Sequence, residues 1–205
     1  MSEFDEKAST WDDDPSRVDR AKEITEFLKT RVDLLNVVNA LEYGSGTGLL
    51  SFNLRLEISN ITLMDDSIEM TRVAHEKCNR LGVSNLHPTK SNLLEDPLPE
   101  DRYDLIFMML TLHHVEQAGD LLQKFAKLLN KNGSLAIIDL EKEDGSFHDG
   151  PFHGHKGFEK NQLEKMLHHS GLNPQSFDIC YTIKKETDNG LKEFPVFLSV
   201  SLKSH

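Results

Sequence analysis

Apolar residues along the chain alternate between two spacings. Val18, Ala21, Ile24, Phe27 and Leu28 recur every three or four positions, which puts them on one face of a helix. Asp14 is suited to cap that helix and Pro15 to occupy its first turn. The short run "VVNALEY" then reads as a strand, "LLSFNL" opens a helix and "ITLM" is a second strand. Met70, Val73, Ala74, Cys78 and Leu81 return to the helical period between a capping Ser67 and a terminating Gly82. "NLHPTKSN" predicts a third strand interrupted near Pro88, followed by a loop that Pro97 and Pro99 mark. "YDLIFMML" is continuously apolar and belongs at a sheet centre, because parallel strands covered on both faces show no alternation. "AGDLLQKFAKLLNKNG" places Leu121, Leu122, Phe125 and Leu129 on one helical face with Gly133 as its stop, and "SLAIIDL" is a fifth strand. After a loop rich in Gly and His comes the helix "EKNQLEKMLHHSG", whose His168 and His169 suit the negative end of its dipole.

The last forty residues change character. "QSFDICYTIKKE" and "LKEFPVFLSVSL" flank the turn-rich "TDNG" with no helix between them, the pattern of a hairpin. Strand and helix alternate up to about residue 170, so the expected fold class is α/β. It is a doubly wound, mostly parallel seven-stranded sheet with a C-terminal antiparallel hairpin and an N-terminal helical arm. The 205 residues are expected to form a single domain: an arm and helix over 1–37, a ligand-binding core over 38–140, and an acceptor-side loop, helix and hairpin over 141–205.

Charge narrows the partners. Lys and Arg number 23 against 34 Asp and Glu, a formal net charge of −11, and a surface that acidic repels a phosphate backbone, so no nucleic acid is expected. Cys78 and Cys180 stand alone, poor material for a disulfide framework or a thiolate metal site. The opening "MSEFDEKASTWDDD" is acidic where a signal peptide is basic and then apolar, and no run approaches the length of a bilayer span. A cytoplasmic monomer or homodimer with no membrane partner is the expectation.

The most informative stretch is "ALEYGSGTGLL". Gly44, Gly46 and Gly48 follow the first strand, where open α/β sheets bind ligands, and glycines there let a ligand approach bare main chain. The spacing is G-x-G-x-G, whereas a dinucleotide fingerprint is G-x-G-x-x-G, and the acidic Glu42 would repel a diphosphate. Glu42 instead favours a cationic ligand portion, an amino acid or a sulfonium. A nicotinamide dehydrogenase is thereby disfavoured.

The run "LEYGSGTG" resembles motif I of the class I methyltransferases that use S-adenosylmethionine and release S-adenosylhomocysteine, and the similarity extends through "LMDDSIEM" and "SNLLEDPLPEDRYDLIFMMLTLHHV" to the small-molecule branch of that family. The resemblance implies a Rossmann-like methyltransferase fold. It also implies cofactor contacts from Glu42, Gly44, Ser45 and Gly46. Asp65, about twenty residues beyond Gly44, would bind both ribose hydroxyls. Asp66 would sit beside the adenine, Leu93 would present its N–H to the ring, and Met108 would offer its carbonyl to the methionine amino group. Asn92 departs from the family, which commonly has Asp at the position that reads the adenine amino group; an Asn carbonyl can still accept that bond.

The acceptor side is read from histidines and aromatics. His113 follows the fourth strand, near the expected methyl group, and "DGSFHDGPFHGHKGF" brings His148, His153 and His155 over the end of the fifth strand in a loop of the kind that folds over substrate. His155 and His113 are the candidate bases, and His153 and Trp11 candidate acceptor-lining residues, Trp11 lying in an arm that in similar enzymes closes over the site. No metal is expected. The loop histidines lack a Cys or a helical i, i+4 pair, and the fourth strand ends without the carboxylates that magnesium wants. The expected function is transfer of a methyl group to a small-molecule acceptor, with a non-catalytic S-adenosylmethionine-binding sensor or partner subunit as the alternative.

Overall fold

The computed structural model describes residues 2–150, 152–187 and 190–203. Seven strands form one sheet in the order β3-β2-β1-β4-β5-β7-β6. They are β1 (Asn39–Tyr43), β2 (Asn60–Asp65), β3 (Leu86–Lys90), β4 (Tyr103–Met109), β5 (Leu129–Leu140), β6 (Leu172–Thr187) and β7 (Gly190–Lys203). The first five run parallel, and β7 is antiparallel to both of its neighbours, β5 and β6.

The apolar run of β4 is continuous because the sheet has a core on each face. Leu105 and Phe107 point to one side, where Ala21, Ile24 and Leu28 of α2 (Pro15–Lys29), Leu50 and Leu54 of α3 (Leu49–Leu54) and Ala74 and Cys78 of α4 (Ile68–Leu81) pack. Ile106 and Met108 point to the other, against Leu121, Leu122 and Phe125 of α5 (Ala118–Leu128) and Leu163 and Leu167 of α6 (Lys160–His169). The predicted caps form: the Asp14 carboxylate accepts from Ser16 N–H at 2.9 Å, Ser67 Oγ accepts from Met70 N–H at 3.1 Å, and Gly82 ends α4 with a φ of 64°.

Two local expectations need correction. Pro88 does not interrupt β3, which runs through it in register with Leu63; β3 is an edge strand, so the missing N–H costs no ladder bond. The fifth helix stops at Leu128 and not at Gly133, because the chain turns extended at Leu129, Asn130 Nδ2 donates to Asp104 Oδ1 at 2.7 Å, and Asn132 takes the left-handed conformation. The acidic opening is helical, as α1 (Glu3–Lys7) and a 3₁₀ turn (Ala8–Asp13), in keeping with the expected helical arm. In the terminal hairpin Thr187 pairs with Gly190; Asp188 and Asn189 of the "TDNG" connector lie outside the described residues.

Candidate functional site

Adjacent strands β1 and β4 send their chains to opposite faces of the sheet, into α3 and α5, so the loops that follow them diverge and leave a crevice. The chain leaves β1 with φ of 65° at Gly44, 53° at Gly46 and 83° at Gly48, all in the left-handed region. Two of these glycines serve close packing. A Cβ on Gly44 would stand 2.2 Å from Thr111 Cγ2, and one on Gly48 2.5 Å from Leu63 Cδ2. Gly46 differs: nothing comes nearer to such a Cβ than Met70 Sδ at 3.8 Å, and both residues line the crevice. A side chain there would occupy ligand space.

Two acids bracket this loop. Glu42, 2% exposed, accepts at Oε2 from the Ser51 N–H at 3.0 Å and from the Ser51 hydroxyl, so it caps the start of α3 from beneath. Burial pushes its pKa up to about 8, with the Ser51 bonds and Lys77 offsetting only part of that cost. Asp65 at the end of β2 accepts from Gly46 N–H at 2.7 Å and from Ser67 N–H at 2.9 Å, tying the glycine loop to α4; burial raises its pKa too. Both carboxylates therefore favour a ligand that brings positive charge or hydroxyl donors.

The N-terminal arm covers the crevice. Asp12 accepts from Thr47 Oγ1 at 2.5 Å and from Lys77 Nζ at 2.6 Å, while Lys77 also donates to Thr47 O at 3.0 Å. Further out, Ser67 Oγ donates to Asp5 at 2.6 Å. The clasp encloses a cavity of about 900 Å³, at the upper end of the size usual for small-ligand sites. Glu42, Gly44, Ser45, Gly46, Asp65, Asp66 and Asn92 line one end of it. Phe4, Trp11, His113, His114, Phe147 and His148 line the other. The guanidinium of Arg17 sits 4.0 Å from the Trp11 ring centroid and fixes that ring. Arg20 also lines the cavity, and its buried Nε has no partner among the described residues.

Four residues singled out from the sequence lie off the cavity lining. Met108 is fully buried in the second core, and the chain reaches the crevice one step later, at Met109 and at Leu110, a non-glycine residue with φ of 52°. Leu93 is buried, and Leu94 lines the cavity in its place. Asn92 Oδ1 accepts from the Leu94 N–H at 3.0 Å and the Tyr43 hydroxyl at 3.3 Å, which orients its amide. His155 packs behind the loop with Nε2 3.1 Å from Val115 O, and His153 is likewise absent from the lining.

His113 is held by a residue that sequence reasoning passed over. Asp139, fully buried at the end of β5, accepts from the His113 N–H at 3.0 Å and from His113 Nδ1 at 2.5 Å. An ionised carboxylate only accepts, so Nδ1 donates to Asp139; Nε2 is buried with no hydrogen-bond partner among the described residues. His114 and His148 stand beside it, with ring centroids 4.2 and 5.2 Å away. Crowding desolvates His114 and, with the adjacent imidazoles, lowers its pKa to about 4; the same causes lower that of His148.

Comparison with known proteins agrees with this geometry. The family described as "Methyltransferase domain" matches residues 40–133, from β1 through the start of β5. An uncharacterized methyltransferase of Schizosaccharomyces pombe is 29% identical over 161 residues, 70% of this chain and 54% of that protein, so the chain spans about half the length of this curated relative. Two solved structures share the fold. A Clostridium acetobutylicum S-adenosylmethionine-dependent methyltransferase has TM-score 0.70 at 18% identity, over 90% of this chain and 92% of that one. A chain from the complex between the Haloferax volcanii Trm112 methyltransferase activator and the putative methyltransferase has TM-score 0.80 at 17% identity, over 100% and 99%. No helix among the described residues is long and apolar enough to cross a membrane.

Proposed function

We propose that this chain, similar to methyltransferases in its domain, its relatives and its fold, is a class I methyltransferase that binds S-adenosylmethionine and transfers the methyl group to a small molecule. The observation that carries the reading is the bare main chain at Gly46, set between the partly satisfied carboxylates of Glu42 and Asp65 in a cavity large enough for two ligands. Asp65 would take the ribose hydroxyls, Asp66 would sit beside the adenine, Asn92 would read the adenine edge, and Glu42 would take the amino group of the methionine portion. Arg20 is the cation available to a carboxylate. S-adenosylmethionine supplies a methyl group already activated by its sulfonium, so the protein's work is to orient the acceptor in line and exclude water.

The arm performs the second task. Its Asp12 bridge to Thr47 and Lys77 closes Trp11 and Phe4 over the chamber that the histidines line. An acceptor that must lose a proton meets His113 there. The test is incubation of the protein with methyl-labelled cofactor and fractionated metabolites. Label appearing in a small molecule is expected. Cofactor binding without a labelled product from any fraction would favour the sensor or partner-subunit alternative.

A second expectation concerns protons. At pH 7 a Glu42 raised to about 8 is mostly protonated in the free protein, and a ligand ammonium placed against it favours the charged form. Binding of S-adenosylmethionine should therefore release close to one proton at pH 7, and affinity should rise between about pH 6 and 8. Calorimetry in buffers of different ionisation enthalpy reads this directly. In Glu42→Gln the Glu42 share of that release should disappear. The sign for stability is opposite: the unfolded chain ionises Glu42 near its ordinary 4.5 while the fold must bury the charge, so the free protein loses stability as pH climbs from there to about 8.

A further inference from the structure

Methyl transfer asks at most a proton acceptor of the acceptor end, yet three imidazoles cluster there. His113, His114 and His148 each offer a ring nitrogen, and these nitrogens all lie within 4.8 Å of one another. Satisfied core histidines do not look like this: Nε2 of His113, on a side chain 1% exposed, and Nε2 of His148 are both buried without a hydrogen-bond partner. From this geometry we propose that the three histidines form a binding site for a divalent transition ion of the zinc class, with its fourth position open to the cavity.

The arrangement behind the cluster is the one such a site needs. Asp139 accepts from the Nδ1–H of His113, which fixes the ring and leaves Nε2 as its unengaged nitrogen, the carboxylate–histidine pairing that orients metal ligands. Phe152 stacks on His148 at 3.7 Å and Phe4 meets His114 edge-on at 5.4 Å, so apolar rings limit how far either imidazole can swing. Glu3 acts electrostatically on both His114 and His148, but it is exposed and paired with Lys7, so the cluster stands on its three nitrogens. Lys185, the cation that acts on His148, is engaged by Phe147 O at 2.7 Å and Asp149 at 3.0 Å.

Zinc–imidazole bonds of about 2.0–2.1 Å in tetrahedral geometry set the nitrogens roughly 3.3 Å apart, so the rings must draw in by about 1 Å, within reach of side-chain rotation. Three neutral nitrogen donors without thiolate suit zinc, cobalt, nickel or copper and not magnesium or calcium. Three protein ligands and a vacant fourth position are the pattern of a site that receives a further ligand, here an oxygen, nitrogen or sulfur atom entering from the chamber. The ion would then replace His113 as the group that an acceptor meets. It would also correct the expectation of a metal-free site, which weighed His148, His153 and His155 and did not foresee that the fold sets His148 beside the tandem His113 and His114.

Tag-free protein comprising all 205 residues, stripped with a chelator and free of S-adenosylmethionine, is titrated with Zn²⁺ by calorimetry and with Co²⁺ as an optical probe. The expected result is one zinc per chain with Kd below about 1 µM and a cobalt ligand-field spectrum of low coordination number. His114→Ala and His148→Gln should each weaken binding more than about 100-fold, since losing even an outer-shell partner costs 10–100-fold, with an unchanged far-UV circular dichroism spectrum. His168→Ala and His169→Ala, on α6, should leave it unaltered. Absence of stoichiometric binding, or binding that survives both cavity substitutions, overturns the proposal and leaves the His113–Asp139 pair as a proton acceptor. Because no cofactor is present, the outcome is independent of whether methyl transfer occurs.

Discussion

Asp65→Ala is expected to weaken S-adenosylmethionine binding by about 10²–10³-fold. A buried carboxylate that accepts from two ribose hydroxyls makes two charge-assisted hydrogen bonds, each worth about 1.5–3 kcal/mol and not fully additive. Asp65 is also well prepared for that task. It is held by the Gly46 and Ser67 N–H groups, so its orientation is set before any ligand arrives, and burial has already raised its pKa, which means further donors are welcome. Those same two bonds are the rival explanation, because their loss could slacken the glycine loop. Adenosine and methionine separate the two. Loss of a ribose contact weakens adenosine and leaves methionine binding nearly intact, whereas a slack loop weakens both and lowers the melting temperature. A loss under about fivefold for the whole cofactor would remove Asp65 from the ribose.

The fold was legible because each element announced itself through period and punctuation. The caps at Asp14, Ser67 and Gly82 occupy the positions their chemistry suggested, and the apolar run of β4 lies at the sheet interior between two cores. The failures were local competitions between weak signals. Pro88 carried a strand-breaking signal, but sheet order decides whether a missing N–H matters, and sheet order is not written in the run itself. Gly133 looked like a helix stop, yet Asn130 found Asp104 across the sheet and Asn132 took the left-handed turn first.

The candidate site divides in the same way. Its cofactor end is built from one loop and the strand ends beside it, so glycine spacing and the positions of Glu42 and Asp65 made it readable. The acceptor end joins residues from four separate stretches: the arm, the end of β4, the end of β5 and the loop after it. Sequence spacing does not report that Asp12 reaches Thr47 and Lys77, or that His148 returns to His113 and His114. At the end of β4 the side chains alternate, so Met108 packs in the core while Met109 faces the crevice.

Asp139→Ala should lower the unfolding free energy by about 3–5 kcal/mol, a core-sized effect from a polar residue. The acid in "SLAIIDL" is odd enough to have drawn notice, since carboxylates are seldom fully buried without partners. Its partners arrive from another segment. Oδ2 accepts from His113 N–H at 3.0 Å, and Oδ1 accepts from His113 Nδ1 at 2.5 Å and from Leu140 N–H at 2.7 Å. Alanine strands three donors in a region that water does not reach, and each unsatisfied buried donor costs about 1–3 kcal/mol. For a chain of this length, about 2–4 °C per kcal/mol converts the loss into a fall in Tm of roughly 10 °C. Asp139→Asn, which keeps one acceptor oxygen but turns an amide N–H toward another donor, should fall between alanine and the parent. Denaturant unfolding with a chelator present keeps any bound ion out of the comparison. His113→Ala then closes a double-mutant cycle: the coupling between Asp139 and His113 should exceed about 1.5 kcal/mol. A coupling near zero would mean that Asp139 stabilises through the backbone N–H groups of residues 113 and 140 alone and that nothing fixes the His113 ring. Both the proton-acceptor reading and the metal reading of the acceptor end require that ring to be fixed, so this one measurement bears on each.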